Sequence, residues 1–229
     1  MFTSVIIPAA GSGERMGAGI QKQFLSLHGK PILIHTLERF QACSAVNEIV
    51  LAVQASGLQQ VEFLIAEFHI TKVTKIVEGG RRRQDSVSNA LGYVNPEAEI
   101  IIVHDAVRPF IGQKLILESI EKAEKYSAAV VAVRVKDTIK VGNGEGLIER
   151  TFDRSVLWSA QTPQAFKRQV LLDAYAKANR ENIEATDDAS LVELLSIHPA
   201  IVVGSFDNIK ITTPDDLDVA NLLARRFKD

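Results

Sequence analysis

Short β-branched apolar runs alternating with amphipathic stretches predict an α/β sandwich wound around a mostly parallel sheet. Val5–Ile7, Ile49–Val53, Ile100–Val103, Val130–Val135 and Ile201–Val203 are nearly continuous apolar runs, the pattern of strands covered on both faces. Between them, apolar residues recur at helical spacing. At the far end, Thr213-Pro214-Asp215-Asp216 joins an N-cap, a proline at the first helical position and two first-turn acids.

The elements follow in order. After the first run comes a loop, Pro8 to Met16, rich in small residues. Leu58, Val61, Leu64, Ile65 and Phe68 mark a helix after the second run. Ile76-Val77 marks a strand, followed by a helix through Val87, Ala90, Leu91 and Val94. Ile116, Ile120 and Ala123 mark the next helix, and Val170, Leu171, Ala174 and Tyr175 another. Thr186-Asp187-Asp188 reads as a further helix start, and Thr213 begins a last helix through about Ala224. One segment breaks the rhythm. Thr138–Val141 and Leu147–Phe152 flank the Gly-Asn-Gly-Glu-Gly turn at 142–146, which predicts a β-hairpin. A lone hairpin is marginally stable in water, so this arm, at about 138–158, needs something to lie against. A second copy of the chain is the natural candidate. With no linker, repeat or low-complexity tract, residues 1–229 read as one domain with an arm.

Composition narrows the function. The 229 residues are 46% apolar and 24% charged, ordinary for a soluble domain. A formal charge of −2 supplies no basic field for nucleic acid. Cys43 is the only cysteine, so neither an internal disulfide nor a thiolate metal cluster is expected. A reduced, cytoplasmic setting fits, with no membrane partner. No apolar leader or run of membrane-spanning length is present.

Three loops carry the chemistry. In the first, Ala9, Ala10 and Gly11 let backbone N–H groups approach phosphate oxygens, and Arg15 and Lys22 supply cations within reach. The spacing of Gly11, Gly13 and Gly17 is not the dinucleotide fingerprint, and no Gly-Lys-Ser/Thr follows. In the second, Glu78 to Val87, the Gly79-Gly80 pair permits close backbone approach, and the Ser86 hydroxyl could bond a base or ribose. A helix cap with a solvated basic face is the ordinary structural reading. In the third, His104-Asp105-Ala106-Val107-Arg108 follows a central strand, where ligands of open α/β sheets bind. Asp105 could take a ribose hydroxyl or a metal-bound water, and Arg108 an anion. His104 is expected to be structural rather than a base.

Later polar residues each have a plainer reading as cap, turn or surface group. They are Thr138 at the arm's root, Asp153-Arg154, Gln161-Thr162 and Thr186. Lys210 differs. It stands between Ile209 and Ile211, where a strand would be largely buried, and a buried lysine needs an anionic partner.

Taken together these motifs resemble the 2-C-methyl-D-erythritol 4-phosphate cytidylyltransferases. The resemblance runs end to end through PAAGSGERM, KQFL, GKPIL, GGRRRQDSV, HDAVRP, DTIK, TFDRSVLWSAQTPQAF, ATDDAS and NIKITTPDDL, in the family's order. It implies a Rossmann-like nucleotidyltransferase three-layer sandwich with a protruding β-hairpin arm, and a homodimer built by arm exchange. It implies that Ala9, Ala10, Gly11, Gly80 and Ser86 cradle cytidine triphosphate. Arg15 and Lys22 then stabilise the reacting phosphates, while Asp105 and Lys210 touch both nucleotide and polyol phosphate. Thr138 and Arg154 reach the acceptor in the partner's site, and Arg108, Thr162 and Thr186 contact it too. Arg15, Lys22, Arg154 and Lys210 are the expected catalytic set, with Mg²⁺ bound mainly through the triphosphate. The chain departs from the family's usual pattern at Gln21, Val107 and Arg81, where many relatives carry proline, alanine and, in some, an acid.

The implied reaction needs no general base. A phosphate monoester with a second pKa of about 6 is already ionised at neutral pH. Its difficulty is repulsion between two anions, so positioning and electrostatic stabilisation must dominate. The third loop and the Lys210 segment also resemble ribitol-5-phosphate cytidylyltransferases, and Asp153-Arg154 followed by Leu157-Trp158 favours the methylerythritol branch. A non-catalytic nucleotide-binding regulator, a nicotinamide dehydrogenase and a sugar-1-phosphate nucleotidyltransferase are the other readings.

Overall fold

The computed structural model describes residues 1–11 and 21–226. In chain order the elements are β1 (Thr3–Pro8), β2 (Ser26–Leu27), β3 (Lys30–Pro31), α1 (Ile32–Gln41), β4 (Glu48–Val53), α2 (Leu58–Glu67), β5 (Val73–Glu78) and α3 (Arg83–Leu91). There follow β6 (Ile100–Val103), α4 (Gln113–Tyr126), β7 (Ala128–Arg134), β8 (Lys140–Gly142), β9 (Ile148–Thr151), β10 (Trp158–Lys167), α5 (Arg168–Glu181), α6 (Asp188–Glu193), β11 (Ala200–Val203) and α7 (Pro214–Ala224). Seven strands form the central sheet in the order β11-β7-β10-β6-β1-β4-β5. All pairs are parallel except those of β10, which runs antiparallel to both β6 and β7.

The apolar runs alternate between two cores, as a doubly covered sheet requires. Val5, Ile7, Ile49, Leu51, Ile100 and Ile102 pack with α1, α2 and α4. Ile6, Val50, Ala52, Ile101 and Val103 pack with α3, α5 and α6 on the other face. The result is a three-layer sandwich. A third cluster joins α7 to the residues that flank the predicted site. Ala220 and Leu223 pack with Val107, Phe110 and Ile211. The α7 start forms as its sequence dictates: the Thr213 side chain accepts from Asp216 N–H, and Pro214 opens the helix.

Besides the two-residue strands β2 and β3, two longer elements were not among those read from the sequence. Helix α1 buries Ile32, Leu33, Ile34, Leu37 and Phe40 and leaves His35, Glu38, Arg39 and Gln41 partly exposed, an amphipathic pattern that the sequence reading passed over. Strand β10 reads poorly because it is polar and contains Pro163. Its pairing with β7 shifts between Ala160 and Gln164, so Pro163 falls inside the irregularity, where a missing N–H interrupts no ladder. Trp158, taken from sequence as the arm's end, is the first residue of β10 and pairs with Arg134. The arm's strands β8 and β9 pair with each other in a separate two-stranded sheet. Asn143 fixes its turn by accepting from the Glu145 and Leu147 N–H groups, both at 3.0 Å. Leu147, Ile148 and Val156 are exposed.

Candidate active site

The predicted loops meet beyond the carboxyl ends of β1, β5 and β6, where the sheet leaves backbone groups without strand partners. The first loop is pinned by glutamines. Gln23 Nε2 donates to the Ala9 carbonyl at 2.8 Å, and Gln54 Nε2 donates to the Ala10 carbonyl at 2.9 Å. Ala9 N–H extends the sheet by donating to Ala52. A Cβ built on Gly11 meets nothing within 4 Å among the described residues, so none of them demands glycine there. Lys22 opens a 3-10 turn, Lys22–Phe24, that faces the same cavity. Arg15 lies outside the described residues.

In the second loop the glycines are needed for contact with protein. A Cβ on Gly79 would lie 2.3 Å from Ala10 Cβ, and one on Gly80 would lie 2.2 Å from Asp85 Cβ. The Ser86 hydroxyl is committed to the same turn: it accepts from Gly80 N–H at 3.1 Å and donates to the Arg82 carbonyl at 3.0 Å. The three arginines that follow differ. Arg82 is held by Asp85 and Glu184, and Arg83 by Asp105 and Asp188. Arg81 is exposed and lines the cavity.

Asp105 is the hub. Its backbone N–H donates to Thr162 Oγ1 at 3.0 Å. Oδ1 accepts from Arg83 Nε at 3.1 Å, and Oδ2 from Arg108 Nε at 3.2 Å, with Lys210 Nζ 2.9 Å away. Burial alone would raise the pKa of this carboxyl, but the positive charges of Arg83, Lys210 and Arg108 outweigh it and hold the group far below the carboxylate range. Lys210 thus has the anionic partner expected from its sequence. It does not lie on a strand: residues 204–213 form an irregular loop after β11. That loop is fastened by Ile211 N–H to the Val107 carbonyl and by Arg108 Nη1 to the Asn208 carbonyl.

Two cavities share this hub. One, of about 200 Å³, is lined by Ala9, Ala10, Gly11, Lys22, Gly80 and Ser86, among others. The second, of about 230 Å³, is lined by Arg108, Gln161, Thr162, Gln164, Thr186 and Asp187, among others. Arg83, Asp105 and Lys210 line both. Of the residues expected at the nucleotide, those that are described gather in one cavity, and Arg108, Thr162 and Thr186 in the other. The irregularity in β10 is what turns Gln161 and Thr162 toward the second cavity. Thr138 and Arg154 line neither. Both are exposed on the arm, where Arg154 Nη1 donates to the Lys136 carbonyl at 2.9 Å.

His104 is fully buried against Phe40 and bonds the Arg108 carbonyl through Nε2 at 3.1 Å. Burial pushes its pKa down to about 4. It lines neither cavity, in keeping with a structural role. Among the described residues, Asp105 is the only carboxylate lining the first cavity. Among the described residues no group of three His, Cys, Asp or Glu could hold a metal ion. Among the same residues no helix is long and apolar enough to cross a membrane.

Sequence reasoning missed Gln23 and Gln54, the pins of the first loop, and Arg83, the third cation on Asp105. Glutamine gives no motif signal. Arg83 sits third in an arginine run that reads as a solvated face.

Comparison with known proteins agrees with this geometry. The model of the family described as 2-C-methyl-D-erythritol 4-phosphate cytidylyltransferase matches residues 3–226. A protein of that name from Syntrophus aciditrophicus is 45% identical over 222 residues, covering 96% of this chain and 95% of its own. The crystal structure of 4-diphosphocytidyl-2C-methyl-D-erythritol synthase from Anaerococcus prevotii superposes with a TM-score of 0.86 at 30% identity, over 98% of this chain and 96% of that one. The corresponding cytidylyltransferase structure from Thermus thermophilus gives 0.81 at 34% identity, over 98% and 100%. The chain belongs to the 2-C-methyl-D-erythritol 4-phosphate cytidylyltransferase family.

Proposed function

We propose that this protein transfers a cytidylyl group from CTP to 2-C-methyl-D-erythritol 4-phosphate, giving 4-diphosphocytidyl-2-C-methyl-D-erythritol and pyrophosphate for isoprenoid precursor synthesis. The observation that carries this reading is the pair of cavities joined at Asp105 and Lys210. A two-substrate transfer between anions needs adjoining sites with cations at the seam.

The nucleotide occupies the first cavity. Ala9, Ala10 and Gly11 present small side chains and backbone to its phosphates, and Gly80 and Ser86 shape the opposite wall. Lys22, with Arg15, neutralises charge growing on the α-phosphoryl and leaving oxygens. The polyol phosphate occupies the second cavity, against Arg108, Thr162 and Thr186. Its phosphate oxygen attacks the α-phosphorus, forming one P–O bond as the bond to the pyrophosphate oxygen breaks. Being ionised already, it needs no base. Lys210, tied to Asp105, reaches both substrates. A Mg²⁺ ion, when bound, would be held mainly by the triphosphate and water, beside Asp105, and would offset part of the nucleotide's charge.

The chain acts as one nucleotidyltransferase domain, residues 1–229, with the arm at about 138–158. We read the protein as a cytoplasmic homodimer in which Thr138 and Arg154 complete the partner's acceptor site. Support comes from Thr138 and Arg154 lining neither described cavity of their own protomer, and from the exposed apolar side chains of the arm.

A grid of four nucleoside triphosphates against methylerythritol, ribitol and erythritol phosphates, read by pyrophosphate release, tests the assignment. Turnover confined to CTP with methylerythritol phosphate supports it. Preference for ribitol phosphate replaces the acceptor, and nucleotide binding without turnover makes the protein a regulator.

A further inference from the structure

One guanidinium serves two buried carboxylates. Arg83 Nε donates to Asp105 Oδ1 at 3.1 Å, and Arg83 Nη1 lies 2.8 Å from Asp188 Oδ2. Asp188 is fully buried, and the Tyr175 hydroxyl donates to its Oδ1 at 2.6 Å. The three partners come from different parts of the fold. Arg83 opens α3, Asp188 opens α6, and Tyr175 lies within α5. A chain of contacts therefore runs from the helices of one face to the wall between the two cavities. The third guanidinium nitrogen, Nη2, is buried without a hydrogen-bond partner.

The division of labour on Asp105 gives this contact its meaning. A carboxylate turns readily about its terminal torsion, which is broad and roughly two-fold. Here Oδ1 belongs to Arg83, while Oδ2 faces Arg108 and Lys210. Holding Oδ1 from the side of α3 keeps Oδ2 turned toward those two cations. Arg83 can do this because its planar fork reaches two carboxylates at once, which a lysine ammonium on a flexible stem does not match.

We propose that Arg83 is a positioning residue for the transfer reaction: through Asp105 Oδ1 it fixes the carboxylate that holds Lys210 at the seam between the two substrates. This rests on the reaction proposed above. The competing explanation is that Arg83 only neutralises the buried Asp188, since an unpaired buried charge is strongly destabilising. The two separate cleanly, because the Asp188 charge can be removed without restoring the Asp105 contact.

The test compares the wild-type chain, Arg83→Gln, the double variant Arg83→Gln/Asp188→Asn, and Arg83→Lys. Each is assayed for thermal midpoint and for pyrophosphate release with CTP and methylerythritol phosphate. Arg83→Gln is expected to lose both stability and rate. The double variant should recover most of the thermal midpoint while kcat stays at least ~10-fold below wild type with KM values within about 3-fold, the signature of lost alignment rather than lost binding. Arg83→Lys, which keeps a charge beside Asp188, should fold and show the same kcat deficit. Wild-type kcat in Arg83→Lys, or kcat recovering together with the midpoint in the double variant, overturns the inference. A wild-type chain that releases no pyrophosphate overturns the proposed reaction and this inference with it.

Discussion

Gly79 stands against Ala10 so closely that a methyl group on it would come within 2.3 Å of the Ala10 Cβ. The loops after β1 and β5 are therefore pressed together at the mouth of the first cavity. Gly11, one residue beyond Ala10, meets none of the described residues within 4 Å of where its Cβ would stand.

The contrast yields a paired prediction. Gly79→Ala should lower stability by about 1–3 kcal/mol, the usual cost of overpacking, and weaken CTP binding as the loops part. Gly11→Ala should change stability by no more than about 0.5 kcal/mol, as at an uncrowded surface site. It should still raise KM for CTP, because the added methyl stands where a phosphate must approach. Denaturant unfolding and steady-state kinetics on both variants check this.

Lys22→Ala should lower kcat by about 10²-fold or more, the scale for removing one donor from a developing anion. Thermal unfolding should be unchanged within a few degrees, since the turn it opens is held by its backbone, with the Phe24 and Leu25 N–H groups bonded to the Gln21 and Lys22 carbonyls. Near-normal pyrophosphate release would remove Lys22 from the chemistry.

Arg154→Ala should raise KM for the acceptor while leaving KM for CTP close to wild type. Mixed with Lys22→Ala, it should also regain activity. In an arm-exchanged heterodimer one site combines an intact Lys22 with an intact Arg154 and the other lacks both. Subunit mixing followed by pyrophosphate assay reads this directly, and no recovery would confine each site to one chain.

The sequence made much of this architecture legible, for local physical reasons. Thr213 to Asp216 announces a helix start by side-chain capping, and the structure begins α7 at Pro214. Four of the five apolar runs read as strands because they bury both faces; the fifth, Ile201–Val203, forms the edge strand β11 and leaves Ile201 and Val203 exposed, so the expected double cover is absent there. Strand β10 stayed hidden because of its context, carrying its proline inside a register shift, whereas α1 is amphipathic, with Leu33, Leu37 and Phe40 at helical spacing, and was readable from its pattern. The site divides the same way. Asp105 was found because it follows a central strand, where ligands of open α/β sheets bind, and Lys210 because a lysine between isoleucines needs an anionic partner. Arg83 was not, because its two carboxylates are remote in sequence and only the fold brings them to it.

His104 gives the protein a defined response to acid. Burial sets its folded pKa to about 4, against about 6.5 for an unperturbed histidine. Between those values the unfolded chain binds a proton that the folded chain refuses. Stability is therefore full above about 6.5 and falls on acidification toward about 4, by on the order of 3 kcal/mol for this group. His35, also lowered chiefly by burial, acts with the same sign. His104→Gln, whose amide can still donate toward the Arg108 carbonyl, should flatten part of that slope in unfolding curves taken across the window. An unchanged slope would mean that His104 titrates normally in the fold.

The central claim is that two anionic substrates meet across Asp105 and Lys210. The most direct measurement is a crystal structure of the protein soaked with CTP and, separately, with methylerythritol phosphate. The account predicts the triphosphate against Ala9 to Gly11 and Lys22, and the acceptor phosphate in the cavity of Arg108 and Thr186. A nucleotide seated away from that first loop, or both ligands competing for one cavity, would contradict it.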